Sequence, residues 1–229
     1  MSAQASSLSR SVEDYLKAIF GLSERGEPAS TSAIAGALAV QPASVTGMVK
    51  RMAESGLLEH APYRGVRLTP RGQREARKVL RRHRVIETYL CERLGFAWED
   101  VHEEAERLEH AVSDRLVERM AAALAFPSHD PHGAPIPTTA GEIEETDSAS
   151  LADAGPGSLV RVRAVRDEDP LWLRSLEATG LTPGALVLVE RAQAAPDQVC
   201  VRVGGEEGAV RTVRRDLAER VFVVPEEPR

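Results

Sequence analysis

The apolar residues at the start of the chain recur at helical spacing. A helix is predicted from a cap at Ser11 to about Glu24, with Leu16 and Ile19 on its apolar face. Asp14 falls on the opposite side, so its carboxylate can meet another element. Taken alone, Asp14 is better explained as a surface charge or as compensation of the helix dipole in the first turn.

Two shorter helical patterns follow, over residues 33–38 and 42–54, with a three-residue break between them. A short helix, a tight break and a second helix with a polar exposed face are typical of a helix-turn-helix. The alternating residues 56–68 then predict a hairpin, which would be the wing of a winged helix over residues 1–72. An ordinary helical domain with a basic face is the competing interpretation. The predicted DNA contacts are Thr31, Ser32, Pro42, Ser44, Thr46, Lys50, Arg51, Arg64 and Arg67.

A long helix is predicted over residues 73–94, and two ionisable residues interrupt its apolar seam. The seam runs through Leu80, Leu90 and Leu94, but His83 and Glu87 occupy positions where this spacing would place Leu or Ile. Burying such a pair without partners costs several kcal/mol. The two side chains therefore either bind a metal or form a structural His–Glu hydrogen bond.

A further helix is predicted from Val101 to about Ala125. On a helix of about 3.6 residues per turn, His102, Glu106, Glu109 and His110 fall within an arc of roughly 100° beside an apolar stripe. Imidazoles and carboxylates at such an edge suit a divalent metal, although a solvated acidic face explains them as well. The apolar surplus in the second half of this helix predicts homodimerisation. Its members are Leu116, Val117, Met120 and Leu124.

The last third of the chain reads as a separate β domain. Residues 141–154 have a linker composition, and short strands at regular spacing over 155–229 predict a small Src-homology-3-like barrel. The fold class is thus mainly α with a small β domain. It comprises a winged-helix domain (1–72), a helical dimerisation and metal-binding domain (73–140), the linker and the barrel.

The distribution of charge changes the picture that the net charge gives. The formal net charge is −6, yet residues 41–84 hold eleven Lys/Arg against three acids, and residues 99–119 hold eight acids against three Arg. The basic block is typical of a surface that contacts phosphates, so we expect double-stranded DNA as a partner.

Several function classes find no support in the composition. Two distant cysteines predict a reducing compartment, and neither an apolar run of 18 residues nor an apolar leader is present, so we expect a cytoplasmic protein without a membrane partner. No nucleophile motif or His-Glu-x-x-His motif occurs, which favours a protein that is not an enzyme and has no small-molecule substrate. A metalloenzyme or metal store would leave the basic block unexplained.

Segments spread over nearly the whole chain match the pattern of one known family. They are Val12–Leu16, Val45–Val49, Leu68–Gly72, Arg82–Arg84, Val101–Glu106, Leu108–His110 with Ser113–Asp114, and Gly133–Pro137. In these segments the chain resembles the diphtheria-toxin-repressor family of bacterial metal-dependent transcriptional repressors.

The resemblance implies two metal sites. The primary site would comprise Asp14, Glu106, Glu109 and His110. The ancillary site would comprise His83, Glu87 and His102, with Asp169 of the barrel as a further donor; the alternative is a barrel that only packs or binds a peptide. The iron-responsive branch usually has Met and Cys where this chain has Asp14 and Glu106. The resemblance is therefore to the manganese-responsive branch, with Mn²⁺ as the first expected ion and Fe²⁺ as the second.

Three departures from the family pattern limit what the resemblance implies. Lys17 stands where the manganese branch often has a ligating Glu, which puts a close two-manganese centre in doubt. Gly47 replaces a longer polar residue of the recognition helix, and Trp172 lies near the position of a second polar barrel ligand. The expected function is a metal-activated homodimeric repressor of metal-uptake genes. The alternative is a metal-independent winged-helix regulator whose polar cluster is structural.

Overall fold

The computed structural model describes residues 8–23, 27–61, 65–144, 147–166, 169–190 and 195–226. The predicted helix end at Glu24, the hairpin tip at Arg64 and the barrel residue Glu168 lie outside these ranges. The chain divides into two compact units. The first comprises residues 1–82 and 137–142, and the second comprises residues 83–136 and 143–229.

The first unit is a winged helix, as the sequence predicts. Its elements are α1 (Arg10–Leu22), α2 (Thr31–Ala37), α3 (Pro42–Glu54), β1 (Leu58–Ala61), β2 (Gly65–Leu68) and the first part of α4 (Pro70–Leu94). The two strands pair antiparallel, and Ala29 forms an isolated bridge with Val66. The core joins apolar faces of all three short helices to the wing; Ile19, Ile34 and Val45 are fully buried in it.

Helix α4 begins at Pro70, three residues before the predicted start. Thr69 caps it, because the Thr69 hydroxyl accepts a hydrogen bond from Gly72 N (3.0 Å) and donates one to Gly56 O (2.8 Å). A Cβ atom at Gly72 would lie 2.0 Å from Leu57 O. The close approach of the helix to the start of the wing therefore requires glycine.

The predicted single helix from Val101 to Ala125 is wrong. The structure has α5 (Val101–Leu108), a break, and α6 (Asp114–Ala123). Ser113 adopts an extended backbone and its side chain accepts a hydrogen bond from Leu116 N, so it caps α6 and separates the two helices. Apolar periodicity continues across this break, which is why the spacing alone indicates one helix.

The second unit also contains a β domain. Its elements are β3 (Ala149–Ser150), β4 (Leu159–Val165), α7 (Pro170–Thr179), β5 (Leu186–Val189), β6 (Gln198–Val203), β7 (Ala209–Arg214), α8 (Arg215–Ala218) and β8 (Val221–Pro225). The strands form one antiparallel sheet in the order β3-β8-β4-β5-β6-β7. Alternate residues of β4 and β5 enter a shared core with Leu173 and Leu176 of α7.

The β domain begins earlier than the predicted linker allows. Residues 149–150 pair with β8, and Leu151 is fully buried in the core of the β domain. A 3₁₀ turn over Leu151–Asp153, capped by Ser150, follows this short strand. The composition of residues 141–154 therefore misplaces the linker end by about six residues.

Among the described residues, no single helix is long and apolar enough to cross a bilayer. Only α2 and α3 taken together meet that test, and a 108° bend separates them.

Candidate metal centre and nucleic-acid interface

The predicted DNA-contacting residues that the structure describes lie along α2, α3 and the wing of the first unit. Ser44, Thr46, Lys50 and Arg51 lie on the exposed side of α3, whereas Val45 faces the core of the first unit. The remaining described members, Thr31, Ser32, Pro42 and Arg67, are exposed or half-buried. Small hydroxyl side chains and cations on one exposed helix can approach phosphates and base edges.

A local hydrogen bond orients the start of each helix of this motif. Ser30 caps α2 by accepting a hydrogen bond from Ala33 N (3.1 Å). Pro42 occupies the first turn of α3, and its carbonyl accepts a hydrogen bond from the Thr46 hydroxyl (3.3 Å). The helix-turn-helix geometry thus follows from local sequence.

The polar cluster of the second unit is buried, in contrast. His83 lies with Nδ1 2.6 Å from Glu109 Oε2 and with Nε2 2.9 Å from Glu87 Oε1. His102 Nδ1 lies 3.2 Å from that same Glu87 oxygen. Glu109 is fully buried, and His83 and Glu87 are 5% and 3% exposed. Because carboxylates only accept hydrogen bonds, an imidazolium at His83 would satisfy both contacts, and a cation could take the place of its proton.

Electrostatics favours an ionised Glu87 despite its burial. Burial alone would raise the pKa of Glu87. The charge of His83 and hydrogen bonds from His102 and His83 outweigh that effect and hold the pKa well below its usual value. Glu87 is therefore an anionic donor in the buried cluster.

The ligand atoms of the second unit form three groups, two of which share Glu106. Within each group, the candidate atoms lie within 4.8 Å of one another. The structure brings together Glu106, Glu109 and His110 of the predicted primary site. It also groups His83 and His102 with Glu106, while Glu87 contacts both histidines. Glu106 therefore adjoins members of both predicted sets.

A third group contains two residues that the sequence analysis missed. Glu87, Asp130 and His132 are all buried and lie within the same distance limit. Asp130 Oδ1 accepts hydrogen bonds from His132 N and Ala134 N (both 2.9 Å), and Oδ2 lies 3.4 Å from Arg84 Nε. Burial and the charge of Glu87 raise the pKa of Asp130, because two buried carboxylates adjoin.

The ring of His132 is oriented as metal-binding histidines usually are. His132 Nε2 donates a hydrogen bond to Trp98 O (2.8 Å), which leaves Nδ1 as the lone-pair donor of the neutral ring. The sequence signal was the pair of ionisable residues in Ser-His-Asp-Pro-His-Gly, which composition alone assigns to a loop. Turn residues offer no periodicity from which burial could be predicted.

Asp14 is carried by the first unit and Asp169 by the β domain. Asp14 and Lys17 lie on α1 in the first unit, both half-buried. Asp169 caps α7, where Oδ1 accepts a hydrogen bond from Leu171 N (2.8 Å), and it belongs to none of the metal-binding groups found among the described residues. Trp172 packs against the β-domain core, with the guanidinium groups of Arg214 and Arg220 5.6 and 4.7 Å from its ring centroid.

The donor set fits a divalent cation of hard or borderline character. All three groups consist of imidazole nitrogens and carboxylate oxygens, and no thiol belongs to any of them in the described ranges. Such donors suit Mn²⁺, Fe²⁺ and Zn²⁺ better than soft ions. The alternative interpretation, a solvated acidic face, would leave the Glu109 side chain exposed to water. In the structure Glu109 is fully buried.

Family models cover most of the chain. Residues 7–66 match the iron-dependent repressor N-terminal DNA-binding domain, and residues 69–138 match the iron-dependent repressor metal-binding and dimerisation domain. Residues 149–225 match the FeoA domain. These three matches parallel the winged helix, the helical region and the β domain.

Full-length relatives and solved structures agree with the family models. The iron-dependent repressor IdeR of Mycobacterium leprae is 34% identical over 224 residues, which covers 92% of this chain and 95% of the relative. The diphtheria toxin repressor of Corynebacterium glutamicum is 36% identical over 217 residues (92% and 94%). A manganese-dependent transcriptional repressor in complex with manganese is 34% identical, with a TM-score of 0.88 over 94% of this chain and 100% of that one.

The structure of IdeR from T. acidophilum matches with a TM-score of 0.77 and 30% identity over 96% of this chain and 99% of that one. The family models, the relatives and the solved structures thus agree on the family and on the fold of this chain. The chain belongs to the diphtheria-toxin-repressor family of metal-dependent transcriptional repressors.

Proposed function

We propose that this repressor is a homodimer activated by Mn²⁺, with Fe²⁺ as the second ion, and that it silences metal-uptake genes. The carrying observation is the buried cluster around His83, in which both ring nitrogens face carboxylate oxygens and Glu109 is fully buried. A bound cation would supply the positive charge that this concentration of carboxylates requires.

The preference for Mn²⁺ rests on the donor types and on one structural relative. In the proposed primary set, Asp14, Glu106 and Glu109 offer carboxylate oxygens against the single imidazole of His110, and hard oxygen donors suit Mn²⁺. A similar manganese-dependent repressor, whose structure contains manganese, also supports Mn²⁺ as the first ion. Affinity alone would follow the Irving–Williams order, so selectivity in the cell also depends on metal availability.

We assign the primary site to Glu106, Glu109 and His110, with Asp14 as the fourth ligand that the family resemblance implies. The ancillary site comprises His83, Glu87 and His102. We add Asp130 and His132, which adjoin Glu87, as further ligands of the ancillary site. The sequence had suggested only Asp169 as an additional ligand. In this proposal Asp14 makes the DNA-binding domain responsive to metal.

The DNA partner of this proposal is a double-stranded operator, and the exposed residues of α2, α3 and the wing contact it. A homodimer presents two such helices to symmetric half-sites. Of the apolar surplus predicted for α6, Val117 and Leu124 are buried within one chain, while Leu116 remains 44% exposed. We propose that the exposed apolar residues Leu94, Leu116 and Phe126 belong to the dimer interface. A DNA partner places the protein in the cytoplasm.

The experiment that tests the proposal is fluorescence anisotropy of a labelled promoter fragment at fixed salt. Protein is titrated in chelator and then with Mn²⁺, Fe²⁺ or Zn²⁺, for the wild type and for Asp14→Ala. We expect binding only with metal, strongest with Mn²⁺, and loss of that response in the variant. Equal affinity in chelator would instead support a metal-independent regulator with a structural polar cluster.

A further inference from the structure

We propose that metal binding and packing of the β domain against residues 128–136 stabilise each other. The backbone of His132 and Gly133, here called the joint, connects the two events, and a β domain packed in this way is called seated. This inference rests on the proposed metal role of Glu87, Asp130 and His132. It adds a coupling that needs no ligand from the β domain. Residues 128–136, here called the ligand loop, contribute both the two ligands and the joint.

The ligand loop is held in one conformation by its own hydrogen bonds. His129 and Pro135 form an isolated antiparallel bridge, and Ile136 N donates to Ser128 O (2.8 Å). Asp130 Oδ1 accepts two backbone N–H groups of the same loop. A displacement of the loop therefore moves both ligand side chains together.

The β domain contacts this loop through backbone atoms. Val165 N at the end of β4 donates to His132 O (2.8 Å). Gly133 has φ +84°, and a Cβ atom there would lie 2.1 Å from Arg163 O and 2.9 Å from the Cα of Ala164. Only glycine allows this approach, so the contact between β4 and the ligand loop is set by residue 133.

Trp98 provides a second contact between the β domain and the same ligand. Trp98 packs against the β-domain core and stacks on His132, with ring centroids 5.4 Å apart and an interplanar angle of 28°. Its carbonyl accepts the hydrogen bond from His132 Nε2. Beside it, Arg174 of α7 lies 3.3 Å from Glu99 and 3.4 Å from Asp100.

These contacts make the two events reciprocal. The seated β domain fixes the carbonyl, the ring face and the Nε2 proton of His132, so it preorganises Nδ1 for a cation. By linkage, a cation that prefers this arrangement must stabilise the seated β domain by the same free energy. The β domain thereby becomes part of the metal response.

The test uses two substitutions that unseat the β domain without altering a proposed ligand. Gly133→Ala drives a methyl group into β4; its control is Gly141→Ala, which has a similar φ of +82° but meets no atom within 4 Å. Arg174→Glu places a like charge beside Glu99 and Asp100; its control is Arg211→Glu, an exposed arginine of β7. Full-length variants, including His132→Ala, are prepared in a Trp172→Phe background, so that Trp98 is the remaining tryptophan.

Two readouts are taken while Mn²⁺ is titrated into each variant. Trp98 fluorescence reports occupancy beside His132, and hydrogen exchange of the peptide covering residues 159–166 reports seating of β4. We expect Mn²⁺ to protect that peptide in the control variants, as in the parent. We expect Gly133→Ala and Arg174→Glu to exchange faster and to lose about tenfold in Mn²⁺ affinity at this group.

The outcomes separate the joint from the metal site itself. A Mn²⁺ response of Trp98 in the parent that His132→Ala abolishes, together with unchanged affinity in both unseated variants, overturns the joint and leaves the metal role standing. A seated β4 and unchanged affinity in Gly133→Ala also overturn the joint. If the parent shows no Mn²⁺ response, or His132→Ala retains it, both the metal role and the inference fail.

Discussion

The exposed face of α3 and the buried cluster around His83 use polar residues in opposite ways. On α3, Lys50 and Arg51 stand in solvent, where each side chain can act separately. In the cluster, His83 and Glu109 are almost wholly removed from water, so each depends on the other. An exposed polar face tolerates the loss of one member, whereas a buried network does not.

The physical cause of the difference is the cost of burying charge. An exposed ion pair contributes at most about 1 kcal/mol, but removing one partner of a buried pair costs about 3–5 kcal/mol. The surface pair between Glu103 and Arg107 on α5 belongs to the first kind, and the contact between His83 and Glu109 to the second. Substitutions in the two regions should therefore differ in size and in kind.

The largest effect is expected for Glu109→Gln, which removes the charge from the most deeply buried carboxylate while keeping its volume. An amide is a poor metal donor and disturbs the contact with His83, so Mn²⁺ affinity should fall by more than about 100-fold. Isothermal titration calorimetry measures that affinity, and circular dichroism verifies the fold.

The matched control for this prediction is Glu103→Gln on α5. Its side chain is 76% exposed, so Mn²⁺ affinity should stay at the wild-type value. An equal loss in both variants would mean that the general acidity of α5 attracts the metal, and the distinction between buried and exposed carboxylates would fail.

The sequence predicted the architecture where local patterns determine structure. The helix-turn-helix follows from apolar spacing, the Ser30 cap and Pro42, which act within a few residues. The pair His83 and Glu87 was identifiable because ionisable residues interrupted an apolar seam.

The missed features depend on contacts between distant parts of the chain. Asp130 and His132 lie in a turn that periodicity does not describe, and only folding brings them beside Glu87. The break before α6 depends on one serine side chain, against a continuous apolar pattern. Local patterns thus predict elements, while the membership of a buried site needs the tertiary structure.

The second prediction concerns Lys50→Ala on the exposed face. Removing one phosphate contact should weaken binding about tenfold at low salt for all DNA sequences and reduce the slope of log affinity against log salt by about 0.9. Anisotropy titrations at four salt concentrations, with saturating metal, measure both quantities.

Lys78→Ala is the control for Lys50→Ala because it makes the same change of charge. Lys78 is exposed on α4 and lies 3.0 Å from Glu75 Oε1. Its substitution should leave the salt slope unchanged. Equal slopes for the two variants would show that net charge, rather than the α3 surface, governs affinity.

A smaller and opposite effect is expected for Gly47→Ala. Gly47 lies in the middle of α3 and is exposed to solvent, and a Cβ atom there would meet nothing within 4 Å. Alanine should raise the free energy of unfolding by about 0.5–1 kcal/mol, since glycine is a poor helix former. Chemical denaturation measures this change.

Gly72→Ala, whose Cβ would meet Leu57 O at 2.0 Å, should destabilise the protein instead. Two glycines in helices of the same unit would then differ in sign, and a loss of stability in both variants would contradict the argument.

The smallest effect is expected at Cys91, whose pKa depends on the charge of Glu87 in the buried cluster. Burial, together with the charge of Glu87, raises the pKa of Cys91 to about 11, so at pH 8 only about a thousandth of this thiol is ionised. In a Cys200→Ser background, its reaction with a disulfide reagent at pH 8 should be slow. A cation on Glu87 offsets part of that negative charge and lowers the pKa of Cys91, so saturating Mn²⁺ should accelerate the reaction severalfold.

A parallel measurement on Cys200 in a Cys91→Ser background separates this effect from general changes in accessibility. A Mn²⁺-independent rate at Cys91 would show that the metal does not bind Glu87. That result would assign Glu87 to the structural contacts with His83 and His102 alone.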